Sequence, residues 1–326
     1  MKLLDIYAGM KKEIKEIEQE LEAAVRSDHE LLNETSLHLL KAGGKRIRPI
    51  IVLLAGQFGS GTDSKSKLKK VAVALELIHM ASLVHDDVID EAMTRRGKLT
   101  VRSKWDNRIA MYTGDYIFAK ALETVAELKS PRIHQILSKA IVEMSIGEME
   151  QIRHFFNTEQ RVRTYLLRIR RKTALLIAIS CQLGAIASAA DEELVRRLYS
   201  YGYNIGMAFQ IRDDILDICG TEEELGKPPG SDIRQGNITL PFIYGLEDPQ
   251  LRDTMLAKIA AIRDADGQAD VEPLLEIVRN SEGMKRAKAL SDKYIHKALH
   301  ALEPCPDVHA KRVLIDIAHF VGSRSY

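Results

Sequence analysis

Apolar residues recur at steps of three and four along nearly the whole of this 326-residue chain, and no run of alternating β-branched residues is long enough to build a strand. Only 20 Gly and 9 Pro punctuate it, few for a protein of short strands and tight turns. With a helical period sustained over that length, the apolar stripes must be buried by packing helix on helix, so an all-α fold is expected. The pattern predicts helices at 31–41, 49–58, 66–88, 112–128, 131–155, 164–189 and 192–218, and more to the end. Before them, Leu3, Tyr7, Met10, Ile14, Ile17, Leu21 and Ala24 form a narrow seam on one long amphipathic helix. Such a seam is most often used inside the chain's own bundle, and otherwise as a coiled-coil arm. The breaks at 42–44, 58–64, 95–97 and 157–160 are short. The longest, 220–236, is the candidate functional loop or lid. Without repeats, low-complexity segments or composition shifts, one domain over 1–326 is expected, although length alone would suggest two.

Charge narrows the function. Lys plus Arg number 47 against 46 Asp plus Glu, leaving +1 and no basic surplus for nucleic acid. Cys181, Cys219 and Cys305 are far apart with no C-x-x-C pair, which suggests a reducing compartment rather than a disulfide framework or zinc site. The start lacks a signal peptide's apolar core. Residues 173–190 carry no charge, but Ser180, Gln182, Gly184 and Ser188 dilute the stretch, which reads as a helix buried all round rather than a membrane span. A cytoplasmic protein is expected.

The strongest chemical signal is a repeated cluster, Asp86-Asp87-Val88-Ile89-Asp90 and Asp213-Asp214-Ile215-Leu216-Asp217. Four residues advance a helix by about 6 Å and turn it by about 400°, so the first and last aspartates of each cluster share a face. Like charges at that spacing repel unless a cation joins them. A single cluster would suit a solvated acidic face. Two copies, each among apolar neighbours such as Leu83, Val84, Ile211 and Ile215, point instead to metal. An all-oxygen ligand set selects Mg2+ or Mn2+, and magnesium leaves coordination positions for phosphate and water.

Basic residues complement that chemistry. Gly43-Gly44-Lys45-Arg46-Ile47-Arg48-Pro49 is a flexible turn entering a helix, Arg95-Arg96-Gly97 follows the first aspartate cluster, and Lys172-Thr173 opens the uncharged stretch, where a lysine needs a partner. Singly, each reads as a solvated cation; together they carry charge enough for two diphosphates. Gln210 shares a helix face with Asp213, Asp214 and Asp217, and His79 one with Asp86 and Asp90. On periodicity alone His79 is a hydrogen-bonded core histidine. Glu76 and His79 make one E-x-x-H, but carboxylate-bridged di-iron bundles need two.

From Gly43-Gly44-Lys45-Arg46-Ile47-Arg48-Pro49 through His79 to Asp90, then Arg95-Arg96-Gly97, Thr113-Gly114-Asp115, Lys172-Thr173, Gln210 to Asp217, Gly230-Ser231-Asp232 and Thr239-Leu240-Pro241, the chain resembles the trans-prenyltransferase (polyprenyl diphosphate synthase) family. The resemblance implies a single bundle of long helices around a deep central cavity, the isoprenoid synthase-type fold, with the aspartate motifs facing each other across its mouth. It implies Mg2+-dependent, repeated addition of isopentenyl diphosphate to an allylic diphosphate such as farnesyl diphosphate. By motif, Asp86, Asp90 and Asp213 are implied as direct metal ligands, supported by Asp87, Asp214 and Asp217. Arg95, Lys172 and Lys227 are implied at the allylic diphosphate, and Lys45, Arg48, His79 and Arg96 at isopentenyl diphosphate. Thr173 and Gln210 are implied to line the reacting centre.

Within the family the chain is most similar to a two-component branch making a seven-unit product for a menaquinone side chain. A dimer is implied, in particular a heterodimer with a small regulatory subunit, as is membrane association at product release. The family usually has lysine just before the T-L-P segment, where this chain has Asn237, one positive charge fewer. Arg324-Ser325-Tyr326 is a weaker candidate for closing the site.

Product length follows from the helix carrying Asp86. Short-chain family members usually place an aromatic five or four residues upstream, where this chain has Ala81 and Ser82. Leu77 and Ile78 stand one turn deeper and Ala74 beyond; at about 5.4 Å per turn, roughly one isoprene unit, a medium-to-long product is expected. The rival readings are a terpene cyclase-like enzyme, which needs no second diphosphate site, and a non-catalytic synthase subunit, which tends to lose its metal ligands.

Overall fold

The computed structural model describes residues 8–61, 64–225 and 228–323. In chain order its helices are α1 (Lys11–Val25), α2 (Glu30–Lys41), α3 (Ile47–Ala55), α4 (Ser64–Ile89), α5 (Val101–Lys104), α6 (Asn107–Ala126), α7 (Pro131–Arg153), α8 (Val162–Ile169), α9 (Leu175–Ala187), α10 (Glu192–Cys219), α11 (Glu222–Leu225), α12 (Ser231–Arg234), α13 (Leu240–Gly245), α14 (Pro249–Asp264), α15 (Glu272–Arg279), α16 (Glu282–Leu302) and α17 (His309–Ser323). The fold is all-α, as the period predicts.

The sequence pattern missed two features. Thr94–Arg95 (β1) and Lys98–Leu99 (β2) pair antiparallel as a minimal hairpin. Its turn residues Arg96 and Gly97 both have positive φ, 54° and 73°, the backbone that a two-residue hairpin turn requires. Strands of two residues are too short to show alternation. The second feature lies between α8 and α9, where the expected continuous helix 164–189 opens into a π-helical turn, Arg170–Ala174. Single π turns inside α-helices are rare and concentrate at functional positions.

Contacts divide the chain into two compact units. One contains the residues up to Ser138 with Ile179–Tyr199 and Pro304–Asp316; the other contains Lys139–Ala178, Ser200–Glu303 and the residues from Ile317 onward. Neither is a continuous stretch, which explains why no composition shift marks a boundary.

In the first unit α4 is the central helix. Every residue from Val71 to Ile78 is buried, the signature of a helix covered on all sides. It packs chiefly on α6, whose facing residues Ala110, Gly114, Ile117 and Ala121 are mostly small. A Cβ at Gly114 would lie 2.3 Å from His85 Nε2, so a larger residue there would displace the His85 ring. The α1 seam is folded in: Ile17, Leu21 and Val25 are fully buried and the helix packs on α2 and α4, so it is not a projecting arm. Leu3 and Tyr7 lie outside the described residues.

In the second unit α10 is central, burying Met207, Ile211, Ile215 and Ile218 against Phe242, Ile259, Leu275 and Val278 from the helices after it. Gly206 brings α10 against the π turn, where a Cβ would lie 2.5 Å from Ala174 Cα. Among the described residues no helix is long and apolar enough to cross a membrane. All three cysteines are free thiols.

Candidate active site

Each unit carries one half of the predicted chemistry. In the first, Asp86 and Asp87 lie in the last turn of α4 and Asp90 immediately follows it. Asp86 and Asp90 are half-buried, and the Asp90 amide donates to the Asp86 carbonyl at 2.7 Å. Asp87 is buried and takes both Arg95 Nε (2.8 Å) and Nη2 (2.7 Å) on its Oδ1. Burial raises its carboxyl above the ordinary range, although Arg95 opposes the shift. Arg95, implied as a diphosphate contact, is thus held by Asp87 in this structure.

The hairpin sets the arginines. His38 Nε2 lies 2.8 Å from the Leu99 carbonyl, and Lys98 donates to the Lys41 carbonyl at 2.6 Å, anchoring the second strand of the hairpin to α2. The result is a basic pocket. Arg46, in left-handed backbone at the start of α3, places its guanidinium beside Gly44. Arg96 reaches the same spot, so a Cβ on Gly44 would lie 2.6 Å from Arg96 Nη1. Arg48 points a buried Nε inward with no hydrogen-bond partner. His79 faces this charge: burial first, then Arg48, Arg96, Arg95 and Arg46, holds it well below its ordinary 6.5, so it is a neutral imidazole. Arg48 and Arg96 thus both act on His79, whereas Lys45 is exposed at the turn. The sequence reading missed Arg46, and missed Glu76 as its partner at 3.0 Å. Glu76 lies one helical turn before His79, and that spacing was the available signal.

The neutrality of His79 has a measurable consequence. Below pH 6.5 the unfolded chain takes up a proton that the folded state refuses, so stability falls as pH drops. At pH 5.5 this single site removes up to about 1.4 kcal/mol. Denaturant titrations at pH 7.5 and 5.5 should show the wild type losing that much more than His79→Gln; equal losses would mean that the imidazole does take up the proton.

In the second unit Asp213 is exposed on α10, while Asp214 and Asp217 are buried. Asp214 accepts from Tyr165 Oη at 2.6 Å and from Gln210 Nε2 at 2.7 Å, and the Gln210 carbonyl oxygen accepts from Thr173 Oγ1 at 2.7 Å. Burial pushes the Asp214 carboxyl up to about 7, against the two hydrogen bonds that favour its anion. Asp217 turns the other way: Oδ1 accepts from Ser231 Oγ at 2.7 Å and Oδ2 from the Asp232 amide at 3.0 Å, fastening the loop after α11. Lys172, in the π turn, finds the partner it requires in Glu148 at 2.8 Å. Tyr165 and Glu148 had no signal in the sequence. Asn237 is buried, its Oδ1 without a hydrogen-bond partner, so a lysine there would bring its charge into the interior. Lys227 and Arg324 to Tyr326 lie outside the described residues.

Among the described residues no three Asp, Glu, His or Cys side chains converge closely enough to hold an ion by themselves. The donor set still suits a hard cation that needs only one or two carboxylates per ion. Asp86, Asp90 and Asp213 have solvent-accessible side chains, and Asp87, Asp214 and Asp217 are held by Arg95, Tyr165 and Ser231 respectively.

An all-α fold with two aspartate-rich helix segments and an arginine pocket defines a prenyltransferase of the isoprenoid synthase fold. The chain belongs to the polyprenyl synthetase family, whose model matches residues 29–278. It is 53% identical, over the full length of both chains, to heptaprenyl diphosphate synthase component 2 of Geobacillus stearothermophilus. It is 52% identical to the protein of that name in Bacillus subtilis, spanning 100% of this chain and 92% of that one. The heptaprenyl diphosphate synthase structure from Staphylococcus aureus superposes with a TM-score of 0.90 at 45% identity, covering 97% of this chain and 99% of that one. The Caulobacter crescentus polyprenyl synthase complexed with calcium and isoprenyl diphosphate has a TM-score of 0.90 at 30% identity, covering 99% and 98%.

Proposed function

We propose that this chain is the catalytic component of a heptaprenyl diphosphate synthase, condensing isopentenyl diphosphate successively onto an allylic diphosphate, farnesyl diphosphate being the expected primer. The observation that carries this reading is the pocket of Arg46, Arg48 and Arg96 around a neutral His79. It is an anion site with no aspartate of the first cluster committed to it except through Arg95. An enzyme that only ionises one allylic diphosphate, as a cyclase does, has no use for it.

Asp86, Asp90 and Asp213 would hold Mg2+, which when bound neutralises charge building on the leaving diphosphate. Asp87, Asp214 and Asp217 support them by fixing Arg95, the Gln210–Thr173 pair and the Ser231 loop. Arg95, Lys172 and Lys227 take the allylic diphosphate; Lys45, Arg48, His79 and Arg96 orient isopentenyl diphosphate. Its double bond attacks the allylic cation as the C–O bond breaks, and the proton lost from the adduct goes to the departing diphosphate. No side chain acts as a nucleophile. The two units act as one catalytic domain.

Product length is set along α4 by Leu77, Ile78, Ala81 and Ser82, of which the first three are fully buried. A second component completes the enzyme. What supports a partner is a row of large apolar side chains exposed on α7, Val142, Ile146, Met149 and Ile152. The product fits a menaquinone side chain, made in the cytoplasm and released to the membrane. The test is radiolabelled isopentenyl diphosphate with farnesyl diphosphate and Mg2+, with and without the small component. Seven-unit product requiring both components supports the reading, and cyclised hydrocarbon formed without isopentenyl diphosphate overturns it.

A further inference from the structure

The arginine pocket contains one buried carboxylate that neither the metal chemistry nor the fold of α4 requires. Glu76 lies in the middle of a helix whose neighbouring positions are otherwise apolar: Ala72, Val73, Ala74, Leu75, Leu77 and Ile78 are all buried. Its Oε1 is 3.0 Å from Arg46 Nη1, and both side chains are almost completely buried, at 4% and 3% exposure. Arg46 Nη2 donates to the Leu40 carbonyl at 3.2 Å, and the half-exposed Glu18 lies 3.7 Å from its Nε. The charges of Arg48, Arg96, Arg95 and Arg46 all act on the His79 ring, and the Arg95 charge is matched by Asp87. Glu76 is therefore the buried carboxylate paired with Arg46, and its charge also acts on Arg48 and Arg96.

A carboxylate beside a diphosphate site weakens binding of the diphosphate. In the reading above, each condensation forms a C–C bond to isopentenyl diphosphate and expels the allylic partner's diphosphate. The lengthened chain therefore keeps the diphosphate that sat in the isopentenyl pocket. That group must leave the pocket before the next isopentenyl diphosphate can enter. We propose, resting on that reading, that Glu76 is the resident counter-anion of the isopentenyl pocket. It keeps the guanidinium groups gathered while the pocket is empty and limits the hold on diphosphate, so that the new allylic diphosphate can move on between condensations. Glu76 is a positioning and affinity-setting residue, acting through Arg46 and through its charge.

Steady-state kinetics of the two-component enzyme with Mg2+ test this in Glu76→Gln, Arg46→Met and the double variant. Glu76→Gln should lower KM for isopentenyl diphosphate roughly tenfold, strengthen inhibition by inorganic pyrophosphate to match, and lower kcat as departure becomes limiting. Arg46→Met should move both affinities the opposite way, the double variant should return near the wild type, and KM for farnesyl diphosphate should stay constant throughout. A merely structural ion pair would move both single variants in the same direction, or leave KM alone, and either result overturns the inference. If Glu76→Gln does not fold in anion-free buffer, inorganic pyrophosphate should restore its helical circular dichroism, because the added anion replaces the lost charge. Failure of that rescue overturns the inference too. Arg48→Ala separates the two levels: unchanged KM for isopentenyl diphosphate in that variant rejects the pocket assignment itself.

Discussion

Substituting alanine for Asp86 should reduce turnover by about 10³-fold or more while leaving the melting temperature unchanged or slightly higher. The two halves of this expectation have separate causes. Asp86 sits in the last turn of α4, where the helix dipole disfavours a negative charge, and four residues from Asp90, where like charges repel. Each of these effects is worth only a few tenths of a kcal/mol, so removing the carboxylate changes stability little. As a metal ligand it contributes to the several kcal/mol of barrier that a Lewis acid supplies, and about 4 kcal/mol corresponds to 10³ in rate. Asp87→Ala should behave differently. Its carboxylate is the buried partner of Arg95, so its loss lowers stability as well as activity. Radiolabel incorporation and thermal denaturation on the same preparations distinguish the two; an Asp86→Ala chain with near-normal turnover would remove this aspartate from the chemistry.

That opposition between function and stability is the signal that a sequence can carry. Two D-D-x-x-D clusters on helices are locally unfavourable, and a physical reading has to supply a cation to excuse them. The helices were legible for the opposite reason: the 3.6 period is written in residues such as Met207, Ile211, Ile215 and Ile218, which the second unit buries along one side of α10. What stayed hidden depends on neighbours remote in sequence. The π turn at Arg170–Ala174 lies where Gly206 approaches Ala174 and Glu148 pairs with Lys172, neither of which the local sequence announces. The separate duties of Asp213, Asp214 and Asp217 depend on Tyr165, Gln210 and Ser231, and a motif that writes the three residues alike cannot rank them. Glu76 was visible as half of an E-x-x-H, but its role appears only when Arg46 folds back onto it.

Ala81→Phe should cut the product to roughly four isoprene units, one addition to the farnesyl primer, without abolishing the first condensation. Ala81 lies five residues before Asp86, about 7.5 Å along the axis of α4, and Leu77 and Ile78 lie about one turn deeper. A chain anchored by its diphosphate at the aspartate end therefore passes the level of Ala81 after its first few units, before it reaches Leu77. A phenyl ring at that level ends the path there, but leaves the diphosphate sites and the first added unit untouched. The alternative is that Ala81, only 1% exposed, is ordinary core. Overpacking would then cost about 1–3 kcal/mol of stability and lower all activity together, with the product spectrum unchanged. Chromatography of the dephosphorylated products decides between them. Shorter chains at comparable incorporation assign the first layer of the ruler to Ala81, and full-length product from a destabilised enzyme assigns it elsewhere on the helix.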